Sequence, residues 1–284
     1  EKYPTKQSVY RELINLNAIM NLPKGTEHFM SDLHGEYDVF YHIINNCSGV
    51  IREKVAMLYG DELTVYEQQE LCTLIYYPRE KLSILMDENK VNDEWYRNVL
   101  NQLIQIAKLL SSKYTRSKVR KAMPVDFAYI IDELIHAQKD EDDNRSVYHR
   151  QIMETILSLH NGDEFLVALT DLIKRLAVDH LHILGDIYDR GAHADKILDL
   201  LMEHHSVDIQ WGNHDILWMG AFCGNPVCMA LVVRNNIKYK TMSILENGYG
   251  ISLRFLLQFA VNTYSDKNVD DAVYKAISVI LFKL

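Results

Sequence analysis

Three short stretches of this chain each end in side chains that bind hard or borderline metal ions. Residues 27–31 (E-H-F-M-S) run into Asp32-Leu33-His34-Gly35. Residues 181–184 (L-H-I-L) run into Gly185-Asp186, with Asp189, Arg190 and Gly191 directly behind. Residues 206–211 (S-V-D-I-Q-W) run into Gly212-Asn213-His214-Asp215. The chemistry that needs such a set is hydrolysis of a phosphate ester, in which a poor nucleophile must approach a charged phosphorus. Two divalent ions lower the pKa of a bound water, neutralise the phosphate oxygens and hold the attack in line. Mixed oxygen and nitrogen ligands suit Mn, Fe or Zn better than Ca.

Each residue type has a part in that chemistry. Asp32 and His34 alternate along an extended segment, so both side chains can face one ion. Asp186 leaves the neighbouring run and is the natural bridge between two ions. Asn213 offers a neutral carbonyl oxygen to the second. His214 and Asp215 form a candidate acid and orienter pair, because a carboxylate on one imidazole nitrogen fixes the tautomer. Arg190 can grip phosphate oxygens in a bidentate way. Asp189 can support His214 or a metal-bound water from behind. His193 follows Arg190-Gly191 closely enough to reach the mouth of such a site. His28 and His182 fall inside the apolar runs, where packed or surface roles are expected.

The elements that must position these groups read as an α/β chain. Val9, Leu13, Leu16 and Met20 recur at helical spacing over residues 7–20, and Pro23 and Gly25 close that segment. A strand over about 27–31 leads to Asp32, and a helix over 36–46 follows. From about 50 to 161 the pattern is helix after helix, with no convincing alternating strand. Lys113 to Lys121 carries five basic residues, read as a solvated helix face. Lys139 to Asp143 carries four acids, read as an exposed turn. A helix after Asp163, which can cap it, feeds a second strand at about 180–184. A helix over 194–204 feeds a third at 207–211. Strands alternating with helices predict a parallel sheet, and ligands gather beyond the carboxyl ends of such strands. All three clusters sit there. The closing residues 277–284 (I-S-V-I-L-F-K-L) are strongly apolar.

The totals narrow the partners. The 284 residues are 48% hydrophobic and 24% charged, with a formal net charge of −9. That balance argues against nucleic-acid binding, whose usual sign is a basic face, and leaves a small anionic substrate open. No run of 18 or more apolar residues is present, which argues against a membrane span. Cys47, Cys72, Cys223 and Cys228 are few and irregular, read as reduced, buried thiols of a cytoplasmic protein.

Asp-x-His, Gly-Asp-x-x-Asp-Arg and Gly-Asn-His-Asp, in that order, resemble the signature of the calcineurin-like metallophosphoesterase superfamily. The wording H-F-M-S-D-L-H-G-E-Y-D-V-F, H-I-L-G-D-I-Y-D-R-G and Q-W-G-N-H-D-I-L-W-M-G-A, the later E-N-G-Y-G-I-S-L-R and the helical segment between the first two clusters are similar to class 3 fructose-1,6-bisphosphatase, a bacterial gluconeogenic type. The resemblance covers nearly the whole chain. It implies hydrolysis of the 1-phosphate of fructose 1,6-bisphosphate with manganese as the metal. Asp32, His34 and Asp186 would hold one ion, Asp186 and Asn213 the other, and His214 and Arg190 would face the phosphate.

The implied fold is a metallophosphoesterase-like parallel sheet flanked by helices, with residues 1–49 and 162–284 as its core and 50–161 as an all-helical insertion. The superfamily completes its sites with downstream histidines, whereas no histidine follows His214, and its class 3 members are about twice this long. The expectation is therefore an N-terminal portion that begins at Glu1 rather than Met, lacks the second half of the fold, and on its own holds metal weakly and turns over little. A homo-oligomer would be one way to cover its sheet edge. The rival readings are a protein or dinucleotide polyphosphate phosphatase of the same superfamily, and a non-catalytic interaction fragment.

Overall fold

Amphipathic periodicity dominates the chain, and most of it is helical in the computed structural model, which describes residues 2–137, 143–265 and 268–284. The expected acidic turn at Lys139 to Asp143 falls largely outside those residues. Three short strands complete the fold: β1 (Glu27–Met30), β2 (His180–Ile183) and β3 (Val207–Ile209). They form one sheet in the order β1-β2-β3, with both pairings parallel. The architecture is α/β, with a small sheet and a large helical share.

Chain segments 1–26 and 44–179 form one compact unit. Helix Asp93–Ser111 shows why it packs. Asn92 caps it by accepting from the Trp95 amide at 2.8 Å, one of the amides that a helix start leaves unpaired. Val99, Leu100, Leu103, Ile104, Ile106, Ala107 and Leu110 line one buried face. That face meets helix Gly162–Ala177, which buries Phe165, Leu166, Leu169, Leu172, Ile173 and Leu176. Thr64 and Glu67 form a capping box on helix Val65–Tyr76, in which each side chain satisfies an amide of the other's turn. Asp163 lies in the first turn of helix Gly162–Ala177 and not at its cap; its carboxylate accepts from the Tyr96 hydroxyl. The basic segment forms helix Arg116–Ala122, where Arg120 pairs with Asp132 at 2.7 Å and Lys118 with Asp179.

Segments 27–43 and 180–284 form the second unit, which holds the sheet and all three ligand clusters. The strands stop earlier than the residue pattern predicts. Parallel pairing runs on for a residue, with Leu184 N–H donating to Met30 O and Gln210 N–H to Ile183 O, both at 2.8 Å. The chain then turns, because Asp32 and Asp186 take positive φ values of 56° and 54°, which no extended strand contains. Helix Ala194–Glu203 connects β2 to β3 and buries Ala194, Ile197 and Leu201. After helix Asn213–Phe222 come Pro226–Tyr239, Arg254–Thr263 and Val269–Lys283. The last of these buries Ala272, Val273, Ala276 and Ile277, and leaves Val279, Ile280 and Phe282 exposed. No helix among the described residues is long and apolar enough to cross a membrane.

Candidate active site

The backbone first brings the clusters together. Asp32 N–H donates to Gly185 O at 3.2 Å and His34 N–H to Asp186 O at 2.8 Å. Gly191 N–H donates to His34 O at 2.6 Å and His193 N–H to Gly35 O at 3.2 Å. These bonds lay the loop after β1 along the loop after β2. Two close approaches then demand glycine. A Cβ on Gly191 would strike the His34 carbonyl oxygen. At Gly185, where φ is 99°, a Cβ would strike the Gly212 backbone. Asp32, His34 and Asp186 all adopt the left-handed conformation, with φ between 47° and 56°, which costs a residue with a Cβ of order 1–3 kcal/mol and clusters at functional sites.

The side chains meet around Asp189, whose side chain is only 5% exposed. Its Oδ2 lies 3.0 Å from His34 Nδ1 and 2.8 Å from Arg190 Nε. Its Oδ1 lies 3.3 Å from His214 Nε2. Asp189, and not Asp215, therefore stands against His214. His34 Nε2 is 3.6 Å from Asp32 Oδ1. The carboxylate of Asp186 rests on the Gly212 backbone, where a Cβ would meet it, and so lies beside Asn213 at the start of the third cluster. Asn213 and His193 are exposed.

Asp215 does something else. It is 1% exposed, and its Oδ1 accepts from the amides of Ile187 and Tyr188 at 3.0 Å each, while Oδ2 accepts from the Gly212 amide at 2.9 Å. It binds the loop after β2 to the first turn of helix Asn213–Phe222. The carboxylate beside His214 is therefore that of Asp189, from the preceding loop, and not that of Asp215. Tyr188 locks that loop from the other side. Its ring stacks on Trp218 at 4.3 Å, and its hydroxyl bonds that of Tyr249. Burial, and then the bond to Tyr249, raise the Tyr188 pKa, so it stays a neutral phenol.

Three buried polar atoms of this loop set have no hydrogen-bond partner: His34 Nδ1, Asp186 Oδ1 and Asp189 Oδ1. The contacts of His34 and His214 with Asp189 are thus close but not aligned as hydrogen bonds. Buried polar atoms normally find partners, and a lone-pair-rich set of carboxylate and imidazole atoms without them fits a divalent cation. The structure does not gather Asp32, His34 and Asp186 into one tight cluster. Among the described residues, the group of three His, Cys, Asp or Glu ligand atoms within 4.8 Å of one another is His180, His182 and Asp208.

That trio escaped the sequence reading, which assigned His182 a packed or surface role. The signal was present: H-L-H at the start of a strand places two imidazoles on one face, and Asp208 lies opposite His182 in the parallel register. The cysteines also divide differently from expectation. All four are free, but only Cys47 and Cys72 are buried; Cys223 is exposed because it forms the C-cap of helix Asn213–Phe222.

The profile of the family described as Firmicute fructose-1,6-bisphosphatase matches residues 1–284. A class 3 fructose-1,6-bisphosphatase of Clostridium beijerinckii is 50% identical over 304 aligned residues, covering 100% of this chain and 46% of that protein. A class 3 fructose-1,6-bisphosphatase of Listeria monocytogenes is also 50% identical, with the same coverage of both chains. The class 3 protein of Bacteroides fragilis is 48% identical over 99% of this chain and 46% of its own length. The chain thus spans less than half the length of these curated relatives. No solved structure matches it. The chain belongs to the Firmicute fructose-1,6-bisphosphatase family.

Proposed function

We propose that this chain carries the metal and phosphate half of a fructose-1,6-bisphosphatase, within a metallophosphoesterase-like fold. The reaction is hydrolysis of the 1-phosphate to give fructose 6-phosphate and phosphate. The observation that carries the reading is the convergence of the three strand-end loops, with partnerless buried atoms on His34, Asp186 and Asp189, in a chain of this family. Asp32, His34, Asp186 and Asn213 would hold two divalent ions, with manganese as the metal of choice. When bound, these would supply charge neutralisation at the phosphate and activation of the attacking water.

The chain's own residues supply the rest. Asp189 lies beside the Nε2 edge of the His214 ring, which leaves Nδ1 to give a proton to the departing sugar oxygen. Protonation matters because a sugar alkoxide is a poor leaving group. Arg190 is anchored at Nε by Asp189, and its side chain is 68% exposed, so its terminal nitrogens can reach phosphate oxygens. Helix Asn213–Phe222 starts at the site and adds the positive end of its dipole. Asp215 contributes by holding two loops in register.

The test compares this chain with the same sequence extended to the length of its relatives. Phosphate release from fructose 1,6-bisphosphate is measured with manganese present, beside a phosphopeptide and a dinucleotide polyphosphate. Release from the sugar bisphosphate by the extended protein, lost in His214→Ala, supports the reading. Preference for the phosphopeptide or the dinucleotide polyphosphate would replace the substrate assigned here.

A further inference from the structure

We propose that His180, His182 and Asp208 form a divalent transition-metal site on one face of the sheet, distinct from the ligand set at the strand ends. The register makes it. His180 and His182 project from the same face of β2, and His182 is the partner of Asp208 on β3. The three ligand atoms lie within 4.8 Å of one another. His182 Nδ1 is 2.8 Å from Asp208 Oδ1, and His180 Nε2 is 3.2 Å from Asp208 Oδ2. Ligand atoms of a tetrahedral zinc ion stand about 3.3 Å apart, given bonds of about 2.0–2.1 Å. The two histidine–aspartate pairs lie within about half an ångström of that spacing, and the two imidazole ligand atoms lie within 4.8 Å of each other.

The surroundings are built for the same purpose. A ligating imidazole works best when its second nitrogen is held by an oxygen acceptor, which fixes the tautomer. His180 Nδ1 is 2.6 Å from Ser206 Oγ, leaving Nε2 for the ion. His182 Nε2 is buried without a hydrogen-bond partner and faces Glu27 Oε2 at 3.8 Å, leaving Nδ1 for the ion. The two rings therefore present opposite nitrogens, with Ser206 Oγ bonded behind one and Glu27 Oε2 3.8 Å behind the other. Phe29 stacks on His182 with ring centroids 4.4 Å apart and an interplanar angle of 12°, which holds that ring in place. Two imidazoles and one carboxylate select zinc, cobalt, nickel or copper over magnesium or calcium. The Asp208 side chain is 58% exposed, so a fourth position faces solvent, and the ion would tie β2 to the short β3.

Cobalt(II) is the probe, because its visible spectrum reports tetrahedral coordination without any assay of activity. The Asp186→Asn variant removes the bridging carboxylate at the strand ends and keeps a side chain that tolerates the left-handed backbone. In that background the proposal expects one equivalent of cobalt with an intense tetrahedral spectrum, displaced by zinc, and a melting temperature that rises with zinc. Asp208→Asn and His182→Ala, each added to that background, should abolish the spectrum and the thermal shift. Asp208→Asn keeps the shape of an exposed side chain, so its result stands even if His182→Ala folds poorly. A spectrum that survives Asp208→Asn, or no tetrahedral spectrum at all, would overturn the site and leave an aspartate shared by two histidines. Neither result bears on the strand-end ligands.

Discussion

The two units of this protein use the same unusual backbone conformation for opposite ends. In the helical unit, the described non-glycine residues with positive φ are Cys47, Ser48, Asn89 and His160. They lie between or just beyond helices, where a left-handed residue ends one element and frees the next. In the unit that holds the sheet, Lys240 does likewise after helix Pro226–Tyr239, but Asp32, His34 and Asp186 do not. Those three follow strands and carry the side chains proposed above as metal ligands. The first unit spends its sequence on caps and packed apolar faces. The second holds strained backbone and partnerless polar atoms in place with backbone bonds, Asp215 and a stacked Tyr188. Stability and chemistry are thus written in different regions, and mutations should separate them.

The sharpest separation is expected at His214. In a protein extended to the length of the relatives, His214→Ala should lower kcat for phosphate release by about 10²–10⁴-fold. Its thermal unfolding should change little, because the side chain is partly exposed and makes no aligned hydrogen bond with Asp189. A melt shifted as far as that of a core variant would erase the distinction. Leu103→Ala is the converse. It empties a fully buried position between helices and should cost about 2–5 kcal/mol in urea unfolding, while leaving the occupancy of strand-end ligands unaltered wherever the protein remains folded.

Asp215→Ala tests the stitching between loops. Three amides would lose their acceptor, and each buried unpaired amide costs about 1–3 kcal/mol before water relieves it. Hydrogen exchange at Ile187, Tyr188 and Gly212 should rise well above the global change, whereas an effect spread evenly over the chain would mean that Asp215 is ordinary core. Asp186→Gly should be smaller and of opposite sign. Removing the Cβ from a left-handed residue should raise stability by up to about 1 kcal/mol while abolishing metal at the strand ends, a trade seen wherever strain serves a site.

The smallest effect concerns Asp208 with chelator present. Hydrogen bonds from His180, and then from His182, hold its carboxyl below the usual carboxylate range. A depressed folded pKa means stabilisation that is present above the unfolded value of about 3.9 and is lost as pH falls through the folded value. The melting temperature of the parent chain should therefore fall slightly more than that of Asp208→Asn as pH drops through that window. Parallel pH profiles would remove Asp208 from the account.

Much of this was legible in the residues. The parallel order of the strands and the placement of Asp32, Asp186 and Asn213 beyond their carboxyl ends follow from period and spacing. The pairing around His214 was not, because Asp215 is its neighbour in sequence and Asp189 its neighbour in space. The helical turn that begins at Asn213 directs Asp215 back to the Gly212 amide, a capping geometry that motif spacing does not express. His180 and His182 were passed over for a related reason: an alternating pair in a strand becomes a ligand pair only when the next strand supplies Asp208 in register.

One bond in the helical unit bears on how the sheet forms at all. Asp179 N–H donates to Thr26 O at 2.8 Å, so the two ends of that unit's chain lie side by side, one residue before β1 and one before β2. Glu27 must find His180 across about 150 intervening residues, and pairings of such long range are slow because loop-closure entropy precedes any contact. Helical contacts are local and close at small entropic cost. Packing of these helices before the strands pair would reduce the search for that pairing to a short-range step, so the long segment between the first two clusters is expected to act as a clamp on when the sheet forms. Refolding followed at the sheet should slow in proportion to damage in the helical core.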